Sequence, residues 1–302
     1  ANARVVDGAA LRIVGDGGYD FAARARQIRN NLQAKEQFTA QDMLEIQTDD
    51  RAIFLANWRE LLLTVLSDEV VGEDDELLEY RRLVEGWIPR AVAESTGYRL
   101  VRSFRMEVRS RVFSGLMAPV REFYAGDVDL LMSNQFEAPL WQVLHVQPSH
   151  LLPSSYASWD ELMLEAVRSN IRDLAENHDA RLAERTWGER NMATIRHPLS
   201  AAVPLLSGWL DMPAEPLNGD SNMPRAQGPD WGASERFSVM PGDEARGLLQ
   251  MPTGQSGHPM SDFYRKGHAD WVNGTPSDFL PGAAQHTLTL VPTGGKIATQ
   301  DE

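Results

Sequence analysis

Ser256 stands in Gly254-Gln255-Ser256-Gly257-His258-Pro259, where a hydroxyl, an imidazole and flanking glycines could serve nucleophilic catalysis. A G-x-S-x-G nucleophile elbow needs a strand before the serine, a helix directly after it, and an acid and a histidine downstream. Here His258 takes the place of the second glycine and Pro259 follows, so an independent serine hydrolase is not expected. The glycine-flanked loop, Gln255 and Ser256 included, is expected instead to lock its own turn. The histidines (His145, His150, His178, His197, His258, His268, His286) show no H-E-x-x-H or comparable spacing, so no metal centre is expected. The absence of cysteine removes disulfides, thiol catalysis and thiolate ligands. No G-x-G-x-x-G or Walker loop is present. Asn273-Gly274-Thr275 fits a glycosylation sequon, but Asn-Gly is also a turn signal, and the turn is preferred.

These residues need a frame to hold them. Phe237, Val239 and Met240, the turn Pro241-Gly242-Asp243-Glu244, and Gly247-Leu248-Leu249-Gln250-Met251 together read as a β-hairpin. Ser261 to Trp271 reads as a short helix with Tyr264, His268 and Trp271 on one side. At the other end, Arg4-Val5-Val6 and Leu11-Arg12-Ile13-Val14 read as short β runs broken by glycines. Asp20 is placed to cap a helix carrying Phe21, Ala22, Ala25, Ile28 and Leu32. Thr39-Ala40-Gln41-Asp42 resembles a capping box ahead of one long amphipathic helix from Met43 to Val65. Glu73-Asp74-Asp75-Glu76 suits a helix N-terminus. Further helices are expected over Tyr98 to Leu116 and from Ser158 to about Arg185. Thr194 to His197 and Gln285 to Leu290 are strand candidates.

At 302 residues the chain can bury a large core. Its 29 basic and 43 acidic residues leave a net charge of −14, which argues against nucleic acid as a partner. The 42% hydrophobic and 24% charged fractions are those of an ordinary globular protein. No run of about 18 apolar residues suggests a membrane span.

The order Gly232-x-Ser234-x-Arg236, hairpin, Gly254-Gln255-Ser256-Gly257, Tyr264 and Trp271 resembles the C-terminal signature of the penicillin acylase family. That family belongs to the N-terminal nucleophile hydrolases and includes penicillin acylases and acyl-homoserine lactone acylases. The resemblance is clearest over the first fifty residues and over 187–275. It implies an α+β fold: part of an αββα sandwich, with a large helical insertion and a β-rich C-terminal part. On that basis residues 1–19 are a strand and loop segment of the catalytic core. Residues 20–185 are mainly helical, and 186–302 are the β-rich remainder of the core.

In the family the nucleophile is an N-terminal serine freed by self-cleavage, with its own α-amino group as base. A backbone N–H and an asparagine amide stabilise the oxyanion. Ala1 carries no nucleophile, so no nucleophile is expected in this chain. Ala1-Asn2-Ala3-Arg4-Val5-Val6 resembles the family's A-N-x-x-V-V segment and makes Asn2 the oxyanion donor. The resemblance likewise makes Arg24 the arginine that orients this asparagine and the substrate, with Arg26 as the competing assignment. Gln47 and Asp49 match the family's Q-x-D helix motif and are read as structural ties. Some members bind calcium through an acidic residue, but the equivalent position here is Ile13, with Asp7 and Asp16 close by; a hard cation needs several oxygen ligands, so no cofactor is expected.

The start at Ala1 suggests a processed fragment: the C-terminal portion of a β-chain. Its partners would be the α-chain and a serine-initiated β-chain portion of the same precursor. The substrate would be a small N-acyl amide, an acyl-homoserine lactone or a β-lactam with an acyl side chain. Trp58, Phe104, Trp141 and Trp159 could line its pocket or simply fill the core. Periplasmic or secreted localisation follows from the family alone. The competing class is a non-catalytic helical binding or scaffold protein.

Overall fold

The computed structural model describes residues 3–15, 18–124, 135–175, 181–284 and 286–290. The first helices are α1 (Gly8–Val14), α2 (Ala23–Gln33) and α3 (Ala40–Gln47). A helical block follows: α4 (Ala56–Val65), α5 (Asp68–Val71), α6 (Asp75–Glu85), α7 (Thr96–Arg121), α8 (Glu137–Val146) and α9 (Trp159–Ala175). The C-terminal part holds α10 (Trp187–Arg190), α11 (Pro198–Ala202), α12 (Ser207–Leu210), β1 (Arg236–Ser238), β2 (Leu248–Gln250) and α13 (His268–Asn273).

The helical block forms because its apolar residues recur at helical spacing and its termini are capped. In α7, Leu100, Val101, Phe104, Val108 and Val112 form one fully buried stripe, which packs along α4, α6 and α9. Trp58 and Leu62 of α4, Tyr80 and Val84 of α6, and Leu162, Ala166 and Val167 of α9 complete that core. Asp74 caps α6 by accepting from the backbone N–H groups of Glu76 and Leu77. At α3 both limbs of the capping box form: Asp42 N–H donates to Thr39 Oγ1 (3.2 Å) and Thr39 N–H to the Asp42 carboxylate (2.8 Å).

The expected helix from Met43 to Val65 is two helices. α3 stops at Gln47, and the chain crosses residues 49–52 extended, with Ala52 N–H donating to Pro89 O and Ala91 N–H to Asp50 O. Backbone pairing with residues 89–91 competes successfully with continued helix. The helix expected to run to about Arg185 ends at Ala175; residues 176–180 of that stretch lie outside the described residues.

The fold is mixed and mainly helical. Among the described residues the sheet is one antiparallel pair, Arg236↔Gln250 to Ser238↔Leu248, which is the expected hairpin. The β-rich character expected of 186–302 is therefore confined to that pair and isolated bridges. Residues 194–197 are extended but find no strand beside them: Thr194 N–H goes to Pro229 O and His197 N–H to the Asp211 side chain. Gln285 lies outside the described residues, and 286–290 form no strand. At the start, residues 11–14 close their own hydrogen bonds as part of α1 instead of forming a strand, and α1 buries none of its residues. The 261–271 segment is helical only from His268. Its earlier carbonyls are taken, Tyr264 O by Gly254 N–H and Phe263 O by Ser256 N–H.

Candidate functional site

α2 lies beside the first described residues. Ala3, which is buried, forms a parallel bridge with Asp20, just ahead of α2. Asp20 Oδ1 accepts from Phe21 N–H (2.8 Å), and its Oδ2 faces Arg24 Nη2 at 3.6 Å. Arg24 is therefore in the first turn of α2, partly buried, next to the segment that continues from Asn2. Arg26 is exposed. Asn2 itself lies outside the described residues.

From α2 a chain of buried polar groups runs into the C-terminal part. Gln27 Nε2 (2.9 Å) and Asn31 Nδ2 (2.8 Å) donate to Asp49, whose carboxylate also takes the Arg51 guanidinium at 2.6 Å. Gln47 donates to Phe237 O on β1 (3.3 Å), so the Q-x-D pair fastens α3 to both sides. Asp50 sits between Arg90 (2.7 Å) and Arg225 (3.5 Å). Arg225 and Arg236 share Gln227 Oε1, and Arg236 Nη1 donates to Gln250 Oε1 and Trp271 O. Trp271 Nε1 returns to Ala233 O at 2.7 Å.

Burial alone would raise the Asp49 pKa, but hydrogen bonds from Arg51, Gln27 and Asn31 outweigh it and hold the carboxyl well below its usual range. Asp50 goes the other way, because burial exceeds the pull of Arg90 and Arg225. Burial, with Arg225 nearby, lowers Arg236 to about 9, which still leaves it charged near neutrality. A carboxylate held below its unfolded value stabilises the fold above that value, and the contribution fades as pH falls through the folded one. Urea midpoints of the wild-type assembly should therefore drop below about pH 4. Asp49→Asn should lower the midpoint at neutral pH and show a smaller acid drop. An equal acid drop in both proteins would remove Asp49 as the cause.

The signature residues turn out to be builders of this frame. Arg236 is 1% exposed and held by three acceptors. A Cβ on Gly254 would lie 1.8 Å from Phe263 O, so only glycine permits that loop to approach. Gly232 has φ 140° and would meet Ala226 O at 2.7 Å. His268, 2% exposed, has its two ring nitrogens at Pro252 O (2.7 Å) and Pro213 O (3.2 Å), tying two loops together. Ser256 Oγ accepts from His258 N–H (3.1 Å), while His258 Nδ1 accepts from Met260 N–H (3.1 Å). That pairing closes local turns and gives Ser256 no base. Asn273-Gly274 ends α13 with Gly274 at φ 76°, a turn as expected.

Trp58, Phe104 and Trp159 are buried in the main core, and the Trp141 ring lies tilted against Trp58 with 4.8 Å between centroids, so these aromatics pack the helical block. Among the described residues no group of three or more His, Asp or Glu could hold a metal ion. No helix there is long and apolar enough to cross a membrane. Sequence reasoning missed Gln27, Asp50, Arg225 and Gln227. Charged and amide residues, whether in loops or, like Gln27, on a helix, carry no local sign that they will be buried.

No curated protein matches the chain. The family model for penicillin amidase matches residues 1–285. That family comprises acylase-type amide hydrolases built from a processed precursor, and with nearly its whole length matched this chain belongs to it.

Proposed function

We propose that the chain is the C-terminal β-chain portion of an acylase that hydrolyses apolar N-acyl amides through a serine at the N-terminus of a partner chain. The serine hydroxyl attacks the amide carbonyl and its own α-amino group takes the proton, which it passes to the leaving amine as the tetrahedral intermediate collapses to the acyl-enzyme. Asn2 supplies the side-chain donor to that oxyanion, and Arg24 fixes the geometry around it. Water then releases the acid from the acyl-enzyme. Acyl-homoserine lactones and acylated β-lactams both fit this chemistry, and a periplasmic or secreted setting would suit either.

The observation that carries the reading is the family match together with the Ala3–Asp20 bridge, which sets the N-terminal segment against the helix bearing Arg24. Exposed apolar side chains support a multi-chain assembly: Val5 and Ile13 near the start, and Phe237 and Met240 on the hairpin. Partner strands placed over these would complete the αββα sandwich.

Native purification with intact-mass analysis and N-terminal sequencing tests the assembly, combined with hydrolysis of an acyl-homoserine lactone and an acylated β-lactam. A tightly bound serine-initiated chain and release of the free acid are expected. A folded chain that purifies alone, with no amide hydrolysis, would instead favour the non-catalytic binding or scaffold reading.

A further inference from the structure

Asp20 is fixed more firmly than its partly exposed position requires. Its backbone is bridged to Ala3 on one side, and on the other its carboxylate accepts from Phe21 N–H. The flanking residues are held as well. Tyr19 O accepts from Gln135 Nε2 (3.0 Å), and the Phe21 ring packs against Phe54 at 5.0 Å between centroids. With Oδ1 committed to Phe21 N–H, Oδ2 is left for Arg24 one helical turn on, at 3.6 Å.

We propose that Asp20 is the positioning residue of the hydrolytic site: it sets the Arg24 guanidinium relative to the segment that carries Asn2. This rests on the acylase reading above. Arg24 has a long side chain with many rotamers, and a partly buried guanidinium holds one of them only if something anchors it. Asp20 is well placed to do so because one residue contacts both parts, through its backbone to Ala3 and through its side chain to Arg24. The carboxylate works through Arg24 and does not itself touch substrate.

The energetics separate this role from a structural one. The side chains are 30% (Asp20) and 19% (Arg24) exposed, and an i,i+4 pair of this kind adds under about 1 kcal/mol to stability. Loss of the carboxylate should thus leave the fold intact. Misplacing a catalytic-site group by about 1 Å can cost up to about 100-fold in rate. The expected effect is on turnover.

The test uses the assembled, processed enzyme with an acyl-homoserine lactone. Asp20→Asn should lower kcat about tenfold with KM and the thermal midpoint little changed, and Asp20→Glu should recover most of the loss. On an Arg24→Gln background, Asp20→Asn should have no further effect, because the guanidinium it acts through is gone. Full activity of Asp20→Asn, while Asn2→Ala and Arg24→Gln are impaired, would overturn the positioning role and leave the acylase reading standing. An undiminished effect of Asp20→Asn in the Arg24→Gln background would also overturn it. A wild-type assembly that hydrolyses no N-acyl amide would remove both.

Discussion

Asn2→Ala in the assembled enzyme should lower kcat by about 10²–10³-fold, the cost of removing one side-chain donor from an oxyanion hole. In the proposed role this donor would act mainly in the transition state, so KM should move much less than kcat. Asn2→Asp should do no better, because a carboxylate repels the charge that develops on the carbonyl oxygen. Native mass analysis must show the same assembly for variant and wild type. The adjoining Ala3–Asp20 bridge is made by backbone groups, so neither substitution removes it. Turnover within about twofold of wild type in an intact Asn2→Ala assembly would end the oxyanion assignment.

The largest effect on stability is expected at Glu137. This residue opens α8 and is 2% exposed; its carboxylate accepts from Trp58 Nε1 at 2.5 Å and from Arg105 Nη2 at 2.8 Å. The Arg105 guanidinium also lies 4.8 Å from the Phe54 ring centre and 4.9 Å from that of Phe136. Glu137→Leu leaves a buried cation without its anion and an indole N–H without its acceptor, a loss of about 3–5 kcal/mol in urea unfolding. The double variant Arg105→Met with Glu137→Leu should recover much of that, because replacing both charges removes their desolvation cost together. If the double variant is as unstable as the sum of the single ones, the pair is not what makes the site costly to break. Phe54 also touches Phe21, beside Asp20, so this ion pair underlies the helix that carries Arg24.

Helices with a full apolar stripe and the capping box were legible from sequence, whereas the cap expected from Asp20 does not form, because α2 starts at Ala23 behind Ala22 and Asp20 bonds Phe21 N–H instead. The buried face of α7 and the Thr39–Asp42 box occur where spacing and residue type place them, since both depend on neighbours within one or two turns. The hairpin was equally legible, from two apolar runs about a Pro-Gly turn. The long helix through Asp49 was not. Its interruption depends on backbone groups some forty residues away at Pro89 and Ala91. Nor were the β runs at 4–6 and 11–14. A strand needs a partner to take its backbone hydrogen bonds, and among the described residues no partner strand faces them, so 11–14 satisfies itself as helix.

The same division holds for function. By itself the sequence determined the family, through the ordered glycines, Arg236, Tyr264 and Trp271, and with it the class of amide hydrolase chemistry. Tertiary structure decided what those residues do: Arg236 is buried under Trp271, and Gly254 is crowded by the backbone at Phe263, so both serve as frame. It also brought Ala3, Asp20 and Arg24 together and exposed the chain of polar groups from Gln27 to Trp271. Local spacing fixes what a helix or turn needs from its nearest neighbours. Which polar side chain is desolvated, and by which partner, depends on contacts across long loops that no local pattern records.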